Sequence, residues 1–237
     1  SVIVFVPRDR YDSGVRERIG DFLKTAFDGR LSAYYPAFPE GGLARVHFII
    51  GRSGGKTPRV EASALEAGVR SIVRTWDDAL REAAAGAEAS PDRLTIAHRL
   101  PQSYRNSFSA ETALRDAGRI ASLDEQNRIA IDFYHVDGEP ESGVSLKIYH
   151  HGEPVALSKR VPLLENMGFR VISERTFEIA DDAMPPVFVH DMELVNAYGA
   201  PINIGDSGAL LEEVFLSIWS DETDNDAYAA LVQTAGM

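Results

Sequence analysis

Residues 1–29 have the sequence SVIVFVPRDRYDSGVRERIGDFLKTAFDG. The apolar, mostly β-branched run Val2–Val6 ends at a proline and a polar loop, which predicts a short buried strand. From Val15 onward apolar residues recur every three or four positions, and Asp12 and Ser13 stand before them as candidate N-caps. That spacing predicts an amphipathic helix. The stretch therefore predicts a strand followed by a helix, which is how a split βαβ unit begins.

The next residues predict a hairpin and a second helix. Two β-rich runs at 31–38 and 43–50 are separated by Pro39-Glu40-Gly41-Gly42, whose glycines suit a reversing turn. Apolar residues from Leu65 to Leu80 then form a single helical stripe. The first part of the chain is predicted to have the order β-α-β-β-α.

The same order of elements recurs about 140 residues further along the chain. It consists of a strand at 144–149, a turn at 151–154, a helix at 157–167, strands at 170–179 and 187–197 around a turn at 181–186, and a helix running from Leu210 toward Leu231. A recurring β-α-β-β-α order indicates two copies of one ferredoxin-like unit.

An alanine-rich, polar segment at 86–128 separates the two copies. Pro91 and Pro101 divide it into short helical pieces, and Ser109 is a candidate cap for the piece that follows it. We expect an α+β protein with a first module at 1–85, a helical linker at 86–128 and a second module at 129–237. The apolar run at 129–135 opens the second module, and pairing with the sheet of the first module is the alternative.

The composition restricts the classes of function. A formal net charge of -12 with scattered basic residues disfavours nucleic acid as a partner. The chain has no cysteine, which excludes disulfides and thiolate metal sites. No apolar run approaches the roughly 18 residues of a membrane span, so we expect a cytoplasmic protein without a membrane partner. The missing initiator methionine leads us to expect a segment of a longer protein.

Four segments resemble one family, the large NAD-specific glutamate dehydrogenases. They are VPRDRY at 6–11, LARVHF at 43–48, PQSY at 101–104 and LLENMGFRV at 163–171. The resemblance implies the N-terminal regulatory region of that family, which contains tandem ACT-type modules. It also implies a parent enzyme that uses NAD to deaminate L-glutamate oxidatively to 2-oxoglutarate, with the other domains of that enzyme and a homo-oligomer as partners.

Catalytic and cofactor residues are not expected in this segment. The chain lacks the G-x-G-x-x-G fingerprint of dinucleotide-binding folds. Its four lysines, at positions 24, 56, 147 and 159, do not match the catalytic motif of the family. The resemblance therefore implies a regulatory or assembly segment whose NAD and active site lie elsewhere in the polypeptide.

The resemblance also implies a place for an effector. In ACT modules small effectors, often amino acids, bind near the loop between the first strand and the first helix. The corresponding residues are Arg8, Asp9, Arg10 and Gly14 in the first module, and His151 and Gly152 in the second. These six residues are our predicted effector site.

Three other patterns have structural explanations. The loop Gly51-Arg52-Ser53-Gly54-Gly55-Lys56-Thr57 is one residue too short for a phosphate-binding loop, so we expect a plain connection. The segment Gly205-Asp206-Ser207-Gly208 resembles a protease nucleophile, but Asp206 or Ser207 as an N-cap explains it. We expect no metal site at the adjacent pair His150 and His151, or at His190, Asp191 and Glu193, because neighbouring residues on a strand face opposite ways.

Two alternative functions remain open from the sequence. One is a free-standing amino-acid-sensing module of the ACT type. The other is a small serine hydrolase built on Ser207.

Overall fold

The computed structural model describes residues 1–181 and 184–233. The chain divides into two compact units, Ser1–Ala79 and Leu80–Met237. The turn expected at 181–186 includes Asp182 and Ala183, which lie outside the described residues.

The first unit has the predicted order of elements. Strand β1 is Val2–Pro7, and a 3₁₀ turn at Arg8–Arg10 leads to helix α1 at Ser13–Ala26. Strands β2 at Arg30–Ala37 and β3 at Leu43–Gly51 form the expected hairpin, and helix α2 spans Ala62–Val73. The sheet order is β1-β3-β2, and both pairs are antiparallel.

The core of the first unit lies on one face of this sheet. Val6 from β1, Phe48 from β3, and Ile19 and Leu23 from α1 are completely buried. Apolar side chains of α2 pack against the same cluster. The strand and helix predicted from residues 1–29 therefore provide much of this core, as the apolar spacing indicated.

The helix expected to run from Leu65 to Leu80 is interrupted. Helix α2 ends at Val73, and a separate helix α3 spans Trp76–Gly86. The Thr75 amide donates to the Asp78 carboxylate at 3.1 Å, and the Asp78 amide donates to the Thr75 hydroxyl at 3.2 Å. This reciprocal pair is a capping box, which starts a new helix inside a continuous apolar stripe.

Helix α3 spans the boundary between the units. The elements that lie entirely within the second unit, among the described residues, are six helices and four strands. They are α4 (Pro91–Arg99), α5 (Gln102–Arg105), α6 (Ala110–Ala121), β4 (Ile129–Tyr134), β5 (Gly143–His151), α7 (Leu157–Asn166), β6 (Phe169–Asp181), β7 (Met184–Asn196), α8 (Ile204–Trp219) and a 3₁₀ helix at Ala227–Gln233. The sheet order is β4-β5-β7-β6, and every neighbouring pair is antiparallel.

Strand β4 belongs to the second sheet. Its residues pair with β5 from Ile129 opposite His150 to Tyr134 opposite Ser145. The alternative that 129–135 completes the first sheet is therefore wrong. The physical reason is proximity in the chain, because only eight residues separate β4 from β5 and a local antiparallel pair closes a short loop.

Helices cover both faces of the second sheet. Ile131, Leu146 and Ile148 form one apolar cluster with residues of α7 and α8. On the opposite face α4 and α6 pack together and contact β6 and β4. Residues 86–128 thus pack on the sheet as part of the second unit, whereas we expected a linker between two modules. Pro91 at the start of α4 and Ser109 as the cap of α6 agree with the sequence.

The last helix differs from expectation at both ends. It begins at Ile204, where the Asn203 side chain accepts from the Gly205 amide, so neither Asp206 nor Ser207 is the N-cap. It ends at Trp219 and does not continue toward Leu231, which lies in the 3₁₀ helix. The acidic residues that follow Trp219 favour exposure to solvent, so the apolar stripe of the helix does not continue there.

Candidate functional site

In the first unit, the two predicted arginines of the effector loop already have partners. Arg10 forms a two-pronged ion pair with Asp78, with nitrogen–oxygen distances of 2.5 and 3.2 Å. Hydrogen bonds from Thr75, followed by those from Arg10, lower the pKa of Asp78 to about 2. The Arg8 guanidinium lies 5.5 Å from the centre of the Phe38 ring. Both side chains thus have roles within their own unit.

The helix that follows this loop has an occupied N-terminus. The Asp12 carboxylate accepts a hydrogen bond from the Val15 amide at 2.7 Å. Gly14 lies in the first turn of α1, where an added Cβ would be 3.3 Å from the Asp12 carboxylate. An effector carboxylate at this position would have to displace Asp12, because both groups use the same amides. Asp9, the remaining predicted residue of the first unit, is exposed.

In the second unit, His151 and Gly152 serve the backbone. The His151 amide donates to the Arg128 carbonyl at 2.8 Å, and the Gly152 amide donates to the Pro186 carbonyl at 2.7 Å. Gly152 has φ of +91°, and a Cβ there would lie 3.0 Å from the Arg128 guanidinium. The positive φ is the reason that glycine is favoured at this turn, because the flexible Arg128 side chain could move away from a Cβ. The effector role of the six predicted residues stays a prediction.

A cluster that the sequence did not predict lies on the second sheet. Asp132 on β4, Lys147 on β5, Asp191 on β7 and Arg175 on β6 are neighbours across the sheet, each the pairing partner of the next. The charges alternate in sign along this row. Arg175 donates to Asp191 at 2.7 Å, and the Tyr134 hydroxyl donates to the other oxygen of Asp191. Cross-strand pairs of opposite charge stabilise a sheet.

Lys147 is the centre of this cluster and is completely buried. Its ammonium donates to the buried Asp116 of α6 at 2.6 Å and lies 3.8 Å from the centre of the Phe108 ring. The Tyr104 hydroxyl donates to the same Asp116 oxygen at 2.5 Å. Burial lowers the pKa of Lys147, while Asp116 acts in the opposite direction. These contacts hold α6 in one position on the sheet, because breaking a buried pair is costly.

A cavity of about 770 Å³ opens beside this row, entirely within the second unit. Its lining combines both signs of charge with hydroxyl groups. The charged side chains are those of Arg115, Arg175, Asp137, Glu139, Asp191 and Glu193, and the hydroxyls are those of Ser107, Ser109, Thr112, Tyr134 and Ser145. Such a lining matches a small ligand that carries both a carboxylate and an ammonium group.

The sequence contained one sign of this site. Lys147 interrupts the apolar run of β5 at a position whose neighbours Leu146 and Ile148 are core residues. A lysine in the middle of a central strand needs a buried partner. The identity of that partner was not predictable, because Asp116 is 31 residues away and its helix was assigned to a linker.

His190, Asp191 and Glu193 lie on opposite faces of β7, as the alternation of strand residues predicted. His190 is 1% exposed, and its Nε2 accepts from the Val155 amide at 3.0 Å. Burial, and then the nearby Arg160, lower the pKa of His190 to about 4, so the ring is neutral near pH 7. Across residues 1–181 and 184–233, no three His, Asp or Glu side chains are grouped to hold a metal ion.

The remaining patterns have structural roles. The Ser207 hydroxyl donates to the Asn203 carbonyl at 2.6 Å inside α8, so it is engaged with the helix backbone. In the loop at 51–57 Arg52 donates to the carbonyls of Lys56 at 2.7 Å and Asp28 at 3.2 Å. In the described part of the chain, every helix is too short or too polar to cross a membrane.

Comparison with known proteins agrees with the two units. The family described as "Glutamate dehydrogenase, ACT2 domain" matches residues 1–77, and the family described as "Glutamate dehydrogenase, ACT3 domain" matches residues 128–207. A protein of Halomonas elongata named NAD-specific glutamate dehydrogenase is 36% identical over 242 residues, which cover the whole of this chain. The chain belongs to the large NAD-specific glutamate dehydrogenase family.

Two further members of this family also match nearly the whole chain. The NAD-specific glutamate dehydrogenase of Pseudomonas aeruginosa is 28% identical over 239 residues, which cover 99% of the chain. That of Mycobacterium tuberculosis is 26% identical over 257 residues, which cover all of it. The chain spans 15 to 16% of the length of these relatives. The matches to the two ACT domains confirm the fold expectation of ACT-type, ferredoxin-like modules.

Proposed function

We propose that this chain is a regulatory and assembly segment of a cytoplasmic NAD-dependent glutamate dehydrogenase. The longer enzyme deaminates L-glutamate oxidatively to 2-oxoglutarate, and the segment contributes no catalytic group. Its partners are the other domains of the enzyme and further copies of the same polypeptide. The names of the relatives support this reaction, and the 15% coverage of their length supports a segment.

The antiparallel pairing of strands within each sheet is the observation that carries the proposal. All strand pairs within residues 1–181 and 184–233 are antiparallel. A dinucleotide fold binds NAD at the carboxyl ends of parallel strands, where a glycine-rich turn leads into a helix. Neither described sheet of this segment has that geometry, which supports our proposal that NAD and the hydride-transfer site lie in the remainder of the enzyme.

An activity measurement tests the regulatory role. The full-length enzyme and a variant that lacks these 237 residues are compared for glutamate-dependent NAD reduction and for subunit assembly by sedimentation. We expect the variant to keep a functional active site but to lose its normal assembly or its response to effectors. Reduction of NAD with glutamate by the 237-residue chain alone would refute the non-catalytic role.

A second candidate function is amino-acid sensing, and the cavity of the second unit favours it. An α-amino acid carries one carboxylate and one ammonium group. Arg115 and Arg175 offer donors for the carboxylate, and Glu139 and Glu193 offer acceptors for the ammonium. We therefore propose this cavity as an effector position in addition to the predicted loop residues, which are Arg8, Asp9, Arg10, Gly14, His151 and Gly152.

Calorimetric titration of the isolated chain with a panel of L-amino acids tests the sensor role. Saturable binding that is weakened at least about tenfold by Arg115→Met or Glu193→Gln supports the cavity. Binding weakened only by Arg8→Met supports the predicted loop. Self-association of the chain in sedimentation experiments without any binding would support an assembly role alone.

A further inference from the structure

The first sheet has an unpaired edge at β1. Strand β1 pairs with β3 on one side, and no described strand pairs with its other side. The Arg8 amide donates to the Gly42 carbonyl at 2.8 Å, which makes this a hydrogen-bonded pair at the end of the β1–β3 ladder. Hydrogen-bonded pairs alternate along an antiparallel ladder. Val2, Val4 and Val6 therefore bond to β3, and the amides of Ile3 and Phe5 face the free edge.

The same strand exposes apolar side chains on the sheet face that α1 and α2 leave open. Ile3 is 55% exposed and Phe5 is 57% exposed. Val4 and Val6, which face the other side of the sheet, are buried. Tyr35, which lies in the same row as Ile3 across the sheet, is 61% exposed. An open edge can pair with an added strand, and an exposed apolar face next to it can be buried by residues that flank that strand.

The second unit has the equivalent edge and face, and both are filled. Its β5-β7-β6 order corresponds to β1-β3-β2 of the first unit, and β4 occupies the position beside β5 that is empty beside β1. Lys147 is completely buried and donates to Asp116 of α6, and Ser145 on the same face is 2% exposed. The strand and the helices that fill these positions both come from the chain immediately before β5.

Within residues 1–181 and 184–233, no strand of this chain pairs with the free edge of β1. Residues 62–73 and 76–86 after its hairpin are helical, and Ile129–Tyr134 is paired within the second sheet. In the second unit, the strand that occupies the equivalent edge, β4, comes directly before β5 in the chain. By analogy, the strand missing from the first unit would come directly before β1.

We propose that the polypeptide just upstream of residue 1 in the longer enzyme adds an antiparallel strand to the free edge of β1. This strand accepts hydrogen bonds from the amides of Ile3 and Phe5, and its flanking residues cover their side chains. The incoming strand is short, because Pro7 offers no amide to it. The proposal rests on the proposed function only in taking this chain as part of a longer polypeptide.

Amide hydrogen exchange compares the 237-residue chain with the full-length enzyme. We expect the Ile3 and Phe5 amides to exchange rapidly in the isolated chain and at least about tenfold more slowly in the enzyme. Val4 and Val6 exchange slowly in both and serve as internal controls. Equal exchange of Ile3 and Phe5 in the two proteins would overturn the proposal without affecting the regulatory role.

A pair of variants separates edge pairing from burial of the side chain. Phe5→Pro removes the outward amide and Phe5→Ala removes only the ring, so both should leave the isolated chain folded. In the full-length enzyme we expect the Ile3 amide to lose its protection in Phe5→Pro and to keep most of it in Phe5→Ala. Equal loss in both variants overturns the strand.

A second copy of the chain is the competing occupant of this edge. If β1 paired with β1 of another molecule, protection of Ile3 would appear in the isolated chain and increase with its concentration. Sedimentation would then show a dimer that Phe5→Pro dissociates. That result would overturn the upstream strand.

Discussion

Replacement of Lys147 by methionine tests the buried charge cluster most directly. Methionine nearly conserves the volume of the side chain, so the substitution removes the charge without opening a large cavity. Asp116 would then be a completely buried carboxylate with one remaining hydrogen bond, the 2.5 Å contact from Tyr104. Removing one partner of a buried ion pair costs about 3–5 kcal/mol. We expect the free energy of unfolding of the second unit to fall by that amount.

A compensating variant isolates the pair from the packing. In Lys147→Met with Asp116→Asn both charges are absent, and the asparagine oxygen still accepts from Tyr104. Replacing both members of a buried pair removes the penalty of an uncompensated charge. We expect the double variant to recover at least half of the stability lost in Lys147→Met. Arg115→Met is the matched control, because that side chain is 55% exposed and should lose less than about 1 kcal/mol.

Urea unfolding followed by tryptophan fluorescence provides the measurement. Trp76 lies in the first unit and Trp219 in the second, so a Trp76→Phe background reports on the second unit alone. A loss below about 1 kcal/mol for Lys147→Met would refute the argument, since it would mean that the pair is not desolvated in solution. No recovery in the double variant would show that packing, rather than charge, accounts for the loss.

Three further predictions concern single side chains. The pKa of His190 is 6.5 when unfolded and about 4 when folded, so the unfolded state takes up the proton first as the pH falls. Stability present above pH 6.5 should therefore fall by about 3 kcal/mol toward pH 4, and His190→Gln should flatten this profile in urea unfolding at a series of pH values. Asp12→Ala removes the cap on the Val15 amide and should lower the stability of the first unit by about 1 kcal/mol in the same assay. Gly68→Ala places a Cβ 2.1 Å from the Phe22 ring, so its thermal midpoint should fall although alanine favours helices by about 1 kcal/mol.

Local patterns were sufficient for most of the elements. The spacing of apolar residues predicted α1 and the β2–β3 hairpin, and the serine before Ala110 predicted the cap of α6. These predictions depend on contacts within a few residues, which a sequence displays directly. The break between α2 and α3 was missed although Thr75 and Asp78 have the spacing of a capping box, because the apolar stripe continues through it.

The candidate sites could be predicted only in part. The loop residues Arg8 and Arg10 were singled out from the family resemblance, and the structure shows them engaged with Phe38 and Asp78. The charged row and its cavity were not predicted. They depend on strand register and on a helix that was assigned to a linker, and neither follows from local spacing.

The sequence by itself determined that this protein contains two ferredoxin-like units, because the order of strands and helices follows from periodicity within each element. Only the tertiary structure decided which sheet receives Ile129–Tyr134 and which residue neutralises Lys147. Both outcomes depend on contacts between segments far apart in the chain. Their free energy comes from burial and pairing that exist only after the chain has folded.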